Sequence, residues 1–385
     1  MKAKIIKERL LDGFSKATSI IPAKTGAAFL RTLWLESTDN RLKVMSTDSK
    51  IEFFGEYEVQ TLEPGLLGVQ GRSFFDLFRK LPPGEITLTQ DDNHSVLLLE
   101  QGRRKYKLPT NDATWFQTFS AFPEANAVAW SGSHLRKIIE HIGYCIADDD
   151  TDTMFYMKMA PVQEQADGSI EVCGMNWHQF GMERFIHPGL AALLGEDGIL
   201  IPKTYLLELK RWLTHEDILL NIDDKRIFVA DQNKRENLSF PISYDTFPNY
   251  SIFLSYFEQE NSRMLVDREE LIDSLERISL FNTETQRCSY FVFQGPEMVI
   301  YSEGQDTGEG TETLNVDYNG DLEQIIFPTR NLIEIVSHFQ SPQIRFEFTD
   351  QSGPCRVTGE NDPDYFVIIM PVQIEEETYY TEEEI

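Results

Sequence analysis

Several residue groups in this sequence have types and spacings that could do chemistry. Asp148, Asp150 and Asp152 alternate as they would at the start of a calcium-binding loop. Such a loop also needs glycine at its sixth position and glutamate at its twelfth, where this chain has Thr153 and Met159. The pattern therefore does not predict a calcium site, and no other metal or cofactor is expected.

The other candidate catalytic groups are incomplete as well. Cys173 and Asn176 lie close to His178, as a nucleophile and its partners would, but one histidine in an apolar stretch is more typical of a structural residue. Segment 304–313 lacks the lysine of a phosphate-binding loop, and neither GxSxG nor HExxH occurs. Carboxylate pairs could serve a glycosidase, although a sequence does not give their separation. An acidic hydrolase and a protein-binding scaffold stay open as alternatives.

The composition describes a large, acidic chain with few cysteines. Its 385 residues are enough for two or three domains, and 41% of them are hydrophobic. Four cysteines without paired spacing predict neither disulfides nor a zinc site, and favour reduced thiols in the cytoplasm. Because the apolar runs are short and the first residues are charged, neither a membrane span nor a secretory signal is expected.

The net charge bears directly on possible partners. With 35 basic and 63 acidic residues it is −28, which opposes a general affinity for nucleic acid. The Debye length is only ~8 Å at physiological salt, so a local basic surface can coexist with an acidic exterior. The position of the basic residues therefore matters more than the total charge.

One helix pattern, an acidic residue between large apolar ones, occurs three times. Pro202 and Pro328 stand just before the second and third copies, where Thr204 and Thr329 are expected to be N-caps. The copies span residues 71–81, 202–213 and 328–339, and their acidic residues Asp76, Glu208 and Glu334 are 132 and 126 residues apart.

A second amphipathic helix precedes each copy, and strand-like runs follow. In these earlier helices, at 8–20, 133–146 and 268–281, equivalent leucines are 125 and 136 residues apart. Two helices in the same order, three times, predict a triplicated α+β unit. The expected domains are 1–126, 127–260 and 261–374, followed by an acidic tail, 375–385.

Basic residues are concentrated on these six helices, whereas acidic runs lie in the segments between them. Such a partition favours a helical surface that contacts DNA phosphates without reading sequence. The alternative is ordinary surface charge, since the same helices also carry Glu140, Glu269 and Glu276. The basic residues are Arg9, Lys16, Arg72, Arg79, Lys80, Arg136, Lys137, Lys203, Lys210, Arg211, Arg268, Arg277 and Arg330.

Four segments carry a resemblance to a known family. They are STDSKIE at 46–52, FFDLFRKLPPG at 74–84, SYDTFPNY at 243–250 and YFVIIMPVQI at 365–374. The chain resembles the bacterial β sliding clamp, the β subunit of DNA polymerase III, over residues 1–374. Where that family reads T-D-G-H-R-L, this chain keeps His178 and differs at the surrounding positions 175–180.

The resemblance implies an α+β fold of three repeated DNA-clamp domains per chain. Helices would line the inside, sheets would lie outside, and two chains would close a six-domain ring. The ring would encircle double-stranded DNA without sequence preference, as a non-catalytic processivity factor without a cofactor. Expected partners are a second copy, the polymerase III α subunit, the clamp loader δ subunit, and other polymerases and repair proteins, with no membrane.

The resemblance also implies three groups of site residues. The dimer interface would use Arg103, Tyr106, Leu108 and Leu280, and the DNA contacts would be Lys24, Arg72, Lys203 and Tyr156. The pocket for partner peptides would use Met157, Met175, Trp177, His178, Phe180, Pro248, Ile252, Phe253, Ser352, Pro354, Ile368, Met370, Pro371 and Val372.

Three features depart from the family pattern. The acidic loop 148–152 stands where the family often has a basic residue near DNA, so it is expected to repel phosphate there. Gln373 replaces an arginine near the end of the resemblance. The tail 375–385 has six glutamates in eleven residues, a composition typical of disorder, and we hypothesise that it biases partner choice near the pocket.

Overall fold

The computed structural model describes residues 1–23, 27–148, 154–214, 216–243, 245–258, 262–284, 287–304 and 306–373. Lys24, the acidic loop after Asp148 and the tail 375–385 lie outside the described residues. The chain forms two compact units. The first contains residues 1–139 and 187–244, and the second contains 140–186 and 245–385.

The first third of the chain is a β-rich segment with two long helices. Its elements are β1 Lys2–Ile6, α1 Lys7–Ser19, β2 Thr32–Thr38, β3 Arg41–Thr47, β4 Glu52–Glu58, β5 Gln60–Glu63, β6 Gly65–Gln70, α2 Gly71–Lys80, β7 Glu85–Gln90, β8 Val96–Gln101 and β9 Arg104–Asn111.

The middle third repeats this order and adds two short helices. Its elements are β10 Val128–Ser131, α3 Gly132–Gly143, β11 Met159–Glu164, β12 Ile170–Met175, β13 Gln179–Phe185, α4 Pro188–Ala191, β14 Ile199–Pro202, α5 Lys203–Trp212, β15 Asp217–Ile222, β16 Arg226–Asp231, β17 Glu236–Pro241 and α6 Ser251–Ser255.

The last third has the same order again. Its elements are β18 Ser262–Asp267, α7 Arg268–Ile278, β19 Cys288–Gln294, β20 Glu297–Gly304, β21 Gly308–Asn315, β22 Asp317–Tyr318, β23 Gln324–Pro328, α8 Thr329–Ser337, β24 Gln343–Phe348, β25 Cys355–Gly359 and β26 Tyr365–Ile369.

All six helices expected from the sequence are present. The first residues of equivalent helices are separated by the same numbers of residues as the equivalent leucines and acidic residues on which the repeat was predicted. Helices α1, α3 and α7, here called first-type helices, begin 125 and 136 residues apart. Helices α2, α5 and α8, the second-type helices, begin 132 and 126 residues apart. Equivalent helices therefore begin at the same distance from their equivalent leucines or acidic residues.

The predicted N-caps of two second-type helices are wrong. Pro202 and Pro328 hold the cap positions of α5 and α8, and neither cap has a side-chain hydrogen bond. The helices begin directly after these prolines, so Thr204 and Thr329 lie within the first turn. The Thr329 hydroxyl instead lies 2.7 Å from Ser289 Oγ, because its side chain is buried beneath the helix.

In the first unit, one sheet runs in the order β10-β15-β16-β17-β4-β3-β2-β6-β9-β8-β7-β1-β5. Two helices of this unit pack against each other through aromatic residues: Phe14 of α1 meets Phe74 and Phe78 of α2 edge to face, with ring centroids 5.1 and 4.8 Å apart. These three rings are fully buried. The apolar face of each predicted helix is thus its packed face.

In the second unit, eight strands follow in the order β11-β12-β13-β26-β25-β24-β18-β22, and β21-β20-β19-β23 form a further sheet. Leu271 and Leu275 of α7 and Leu332 and Ile335 of α8 belong to one buried core. Both units contain a strand pair that crosses a predicted domain boundary: β17 pairs with β4, and β26 pairs with β13. The three-domain division stays a prediction, and we call these two strand pairs the first and second joints.

Candidate peptide pocket and nucleic-acid interface

All fourteen residues predicted for the peptide pocket lie in the second unit. Met157, Met175, Phe180 and Ile368 are buried in one apolar cluster, and Phe253 packs against it half-buried. The three methionines in this cluster, Met157, Met175 and Met182, suit a surface that adapts to several ligands, because unbranched thioether side chains repack easily. The structure therefore brings together five residues that are far apart in sequence.

Phe180 lies at the centre of this cluster. It is on β13, directly opposite Ile368 on β26. Its ring centroid is 5.6 Å from that of Tyr250 and 5.9 Å from that of Phe253. Since the strand pair fixes Phe180 and the helix α6 carries Phe253, the second joint forms one wall of the cluster and α6 the other.

Backbone hydrogen bonds hold segment 370–372 in place, beside the turn at 176–178. Met370 donates its N–H to the His178 carbonyl at 2.9 Å, and Val372 donates to the Ile326 carbonyl at 2.8 Å. The turn itself is fixed by the Asn176 side chain, whose Oδ1 accepts from the N–H groups of His178 and Gln179. Pro371 lies between these two anchored residues.

Large apolar side chains stand exposed around the cluster. Trp177 is 57% exposed, Ile252 is 59% exposed and Met370 is 40% exposed. His178 and Pro248 are exposed as well. Exposed aromatic and aliphatic side chains over a buried apolar floor are typical of a ligand-binding surface.

A buried carboxylate supports this surface from below. Glu171 on β12 accepts a hydrogen bond from the Tyr250 hydroxyl at 2.5 Å and from the Arg184 guanidinium. Burial, and then this hydrogen bond, raise the pKa of Tyr250. Sequence reasoning missed Glu171 and Tyr250 as supports, although Tyr250 ends the quoted segment SYDTFPNY.

Ser352 and Pro354 lie on the turn between β24 and β25 and are not members of the described apolar cluster. Asp350 organises this turn, because its Oδ1 accepts from Ser352 N at 2.7 Å and Gly353 N at 2.6 Å. The bond from Ser352 is the main reason that the pKa of Asp350 is lowered. A role for these two residues in the pocket stays a prediction.

The predicted DNA contacts lie in different settings. Arg72, at the start of α2, is exposed and donates from Nε and Nη2 to the Ile21 carbonyl at 2.9 and 2.6 Å. Lys203 is the first residue of α5. Tyr156 packs instead beside the apolar cluster, where its ring is 5.9 Å from that of Phe247.

Many of the basic helix residues are already paired within the chain. Carboxylates lie within 2.9 Å of Lys16, Arg79 and Arg277, and Arg211 is paired with Glu208. Within the described ranges, four of these basic side chains make no hydrogen bond or ion pair: Arg9, Lys80, Lys137 and Arg330. The helices are thus less basic in effect than the sequence suggested.

The predicted dimer residues lie at or beside two strand edges that are open in the described residues, the first part of β9 and the outer side of β21. Tyr106 and Leu108 are half-buried on β9, and Arg103 immediately precedes that strand. Leu280 is 73% exposed and lies in the 3₁₀ turn Ser279–Phe281, which contacts β20 and β21. Both edges therefore carry exposed or half-exposed apolar side chains.

Among the residues that the structure describes, no cluster of three or more His, Cys, Asp or Glu side chains could hold a metal ion. In the same part of the chain, no helix is both long and apolar enough to cross a membrane.

Comparison with known proteins gives the class first. The fold is that of a sliding clamp: it matches the DNA polymerase III β subunit of Pseudomonas aeruginosa with a TM-score of 0.84 at 21% identity, and a clamp from Bartonella birtlesii bound to griselimycin with a TM-score of 0.88 at 17% identity. Each match covers 97% of this chain and all of the other.

The family follows from sequence. Models of the N-terminal and C-terminal domains of the DNA polymerase III β subunit match residues 1–120 and 258–373. The β sliding clamps of Caulobacter vibrioides and Treponema pallidum are 21% and 24% identical, over 97% of this chain and their whole length. The chain belongs to the DNA polymerase III β subunit family, as the sequence resemblance predicted.

Proposed function

We propose that this protein is the sliding clamp of a bacterial replicase, a non-catalytic ring that tethers polymerases to duplex DNA. The observation that carries the proposal is the triplicated unit and its joints. Two joints are made within the chain, by β17 on β4 and by β26 on β13. In the repeat, β9 is equivalent to β17 and β26, and β21 is equivalent to β4 and β13. These two strands remain for a third joint, in which each copy of the chain pairs with the other, so that two-fold symmetry forms the joint twice.

The third joint would join β9 of one copy to β21 of the other. In the described residues, β21 pairs only with β20, and β9 pairs with β8 and, at its far end, with β6. The outer edge of Arg104–Leu108 is thus unpaired. Open edges offer backbone N–H and C=O groups to another strand, so they are ready to extend a sheet.

The internal repeat fixes the register of this pairing. Leu67 and Ile325 hold equivalent positions, because each lies three residues before the N-cap of a second-type helix, α2 or α8. Three cross-strand pairs lead from Leu67 to Gly55 and from Ile325 to Glu312, so Gly55 and Glu312 are equivalent as well. The two paths are Leu67–Leu35–Val44–Gly55 and Ile325–Phe291–Ile300–Glu312.

The opposing strand is placed in the same way. The starting points are the fourth residues of the strands that follow α2 and α5, namely Leu88 of β7 and Leu220 of β15. From each of them, two cross-strand pairs lead to equivalent residues, by the paths Leu88–Leu99–Tyr106 and Leu220–Val229–Leu238. Two residues earlier, Arg104 is therefore equivalent to Glu236. Glu236 lies opposite Gly55 in the first joint, so Arg104 is expected opposite Glu312 of the partner.

Charge supports this register. Stepping along the antiparallel pair from Arg104 and Glu312 places Lys107 opposite Glu309 and Tyr106 opposite Gly310. Both basic residues thus face acidic ones, although charge was not used to derive the register. Exposed pairs contribute ~0–1 kcal/mol each, so Tyr106, Leu108 and the exposed Leu280 are expected to supply most of the affinity.

Cysteine cross-linking tests the register, because all four native cysteines are buried. The pairs Lys105→Cys with Thr311→Cys and Arg104→Cys with Glu312→Cys should oxidise quickly to covalent dimers. The matched pair Lys105→Cys with Thr313→Cys is out of register and should react slowly. Faster reaction of the out-of-register pair would overturn the register.

The DNA contacts and the partner pocket belong to the same proposal. Arg72, Lys203 and Lys24 would contact phosphates without sequence preference, which suits a ring that slides. The surface formed by Trp177, Ile252 and Met370 would hold short apolar segments of the polymerase α subunit, the loader δ subunit and repair proteins in the cytoplasm.

Retention on DNA tests the function itself. The protein is loaded onto nicked circular DNA with a clamp loader and ATP, and the DNA is then cut. Retention on the circle with rapid loss after cutting is expected for a ring held by topology. Equal retention on both forms would indicate ordinary DNA binding, and no retention with a monomeric mass would contradict the proposal.

A further inference from the structure

The three joints can be compared residue by residue on their helical side. Each first-type helix has a basic residue or histidine at its tenth position: Lys16, His141 and Arg277. Counted from the first residue of each second-type helix, the tenth residues are Lys80, Trp212 and His338, the last of which is the C-cap of α8.

In both joints within the chain, these tenth residues meet across the joint. Lys16 Nζ lies 5.8 Å from the Trp212 ring centroid. The ring centroids of His141 and His338 lie 6.5 Å apart. The first-type helix of one domain thus always faces the second-type helix of the next, and the facing residue is aromatic.

The strand residue beside each contact also follows the repeat. Glu236 binds Lys16 in the first joint at 2.8 Å. In the second joint Tyr365 stacks on His141 with ring centroids 4.0 Å apart. At the subunit joint the equivalent residue is Arg104, which adds a positive charge where the other joints have a carboxylate or a phenol.

We propose that Lys80 of one copy lies against Arg277 of the other, so that the subunit joint contains a like-charge contact. This inference rests on the proposed function, because it needs the same pairing of two copies. The contact gives this joint an electrostatic weakness that the other two joints lack.

The surrounding carboxylates do not neutralise the contact fully. Glu312 binds Arg277 with distances of 2.7 and 3.1 Å, and Asp273 precedes Arg277 by one helical turn. Asp76, one turn before Lys80, is bound to Arg79 at 2.9 Å. Three cations, Lys80, Arg104 and Arg277, therefore share two carboxylates, Glu312 and Asp273.

The expected effect is measurable. Two like charges about 6 Å apart in a water-like medium change an equilibrium by about threefold, and more where the effective dielectric constant is lower. The dimer contains two such contacts, so removing the charge of Lys80 should lower the dimer dissociation constant by about tenfold or more at low salt. The gain should shrink as salt rises, because screening already weakens the repulsion in the native protein.

The test uses full-length protein and sedimentation equilibrium at low and high salt. Lys80→Gln should strengthen the dimer, whereas Lys107→Gln, which removes the charge opposite Glu309, should weaken it. Lys50→Gln, on an exposed turn of the same domain, serves as the control without effect. Unchanged or weaker dimerisation of Lys80→Gln would overturn the proposal.

A second variant assigns the effect to Arg277. Lys80→Glu should strengthen the dimer further, and adding Arg277→Gln should remove most of that extra gain. A gain that persists without Arg277 would contradict the contact. If the native protein forms no dimer at all, the proposed function fails; if it dimerises but Lys80→Gln has no effect, only this inference fails.

Discussion

Lys16 on α1 binds Glu236 on β17, with Nζ 2.8 Å from Oε2, and 220 residues separate the two in sequence. Glu236 also accepts a hydrogen bond from the Tyr57 hydroxyl at 2.8 Å. Burial by itself would lower the pKa of Lys16, but Glu236 and Asp12 outweigh it and raise that pKa. Burial, with Glu236 next, also raises the pKa of Tyr57.

Replacement of Lys16 by methionine should destabilise the first unit. Both side chains are only 14% exposed, so Glu236 would lose its counterion in a poorly solvated place, at a cost of ~2 kcal/mol. Urea unfolding of Lys16→Met, Glu236→Gln and the double variant should reveal a coupling energy. Lys43→Met is the matched control, since its pair with Glu36 is more solvated, at 32% and 37% exposed, and should contribute only ~0–1 kcal/mol. Additive losses would contradict the coupling.

Two aromatic residues of the candidate pocket should behave in opposite ways. Phe180 is 4% exposed, so Phe180→Ala leaves a cavity and should cost ~3–5 kcal/mol of stability. Trp177 is 57% exposed, so Trp177→Ala should leave the unfolding midpoint almost unchanged. It should nevertheless weaken binding of a clamp-binding peptide from the polymerase α subunit at least about tenfold, as a hot-spot aromatic does.

Calorimetry and peptide titration measure these two effects. Trp115→Ala is the control, because this tryptophan is 43% exposed and lies in the first unit. Equal peptide affinity for native protein and Trp177→Ala would remove Trp177 from the pocket. A large loss of stability in Trp177→Ala would instead indicate a structural role.

The ionisation of Glu312 should depend on Arg277. The hydrogen bond from Arg277 is the main cause that lowers the pKa of Glu312 below its ordinary 4.5. A depressed folded pKa means that the stabilisation is present above the ordinary value and is lost as the pH falls through the folded value. In a carboxyl-carbon NMR titration, Glu312 should titrate below 4.5, and Arg277→Gln should move it upward. An unmoved midpoint would contradict the pairing.

The helices could be predicted from sequence because their signals are local. Apolar spacing and the two prolines predict the first residues of α5 and α8 to within one residue. The repeat offsets then predict where the equivalent helix α2 begins. The N-caps were predicted wrongly, since a threonine pattern does not reveal that Thr329 turns inward to Ser289. Local propensity thus gives the element, whereas tertiary packing decides what each polar side chain binds.

The candidate site was only partly predictable, because its supports come from distant segments. The resemblance named Phe180 and Ile368, which strand pairing places opposite each other. Glu171 could not be recognised beneath Tyr250, since 79 residues separate them and no pattern links them. The basic helices also gave a misleading impression, because Lys16 and Arg277 are paired with carboxylates from strands, Glu236 and Glu312.

Arg72 provides the last test, which separates a phosphate contact from general surface charge. Its guanidinium donates to the Ile21 carbonyl through Nε and Nη2, which holds the charge near the start of α2. Binding of the protein to a linear duplex should therefore weaken in Arg72→Gln, and the slope of log K against log salt should fall by about one phosphate contact. The loss should be the same for duplexes of different sequence.

Arg79→Gln is the matched control on the same helix. Arg79 is bound to Asp76 at 2.9 Å, so its removal frees a carboxylate while it deletes a cation. If Arg72 contacts phosphate directly, Arg72→Gln changes the salt slope and Arg79→Gln does not, because only directly neutralised phosphates release counterions. Equal slopes in all three proteins would mean that Arg72 contributes only to the general field, and the DNA-facing surface would then have to be sought on other helices.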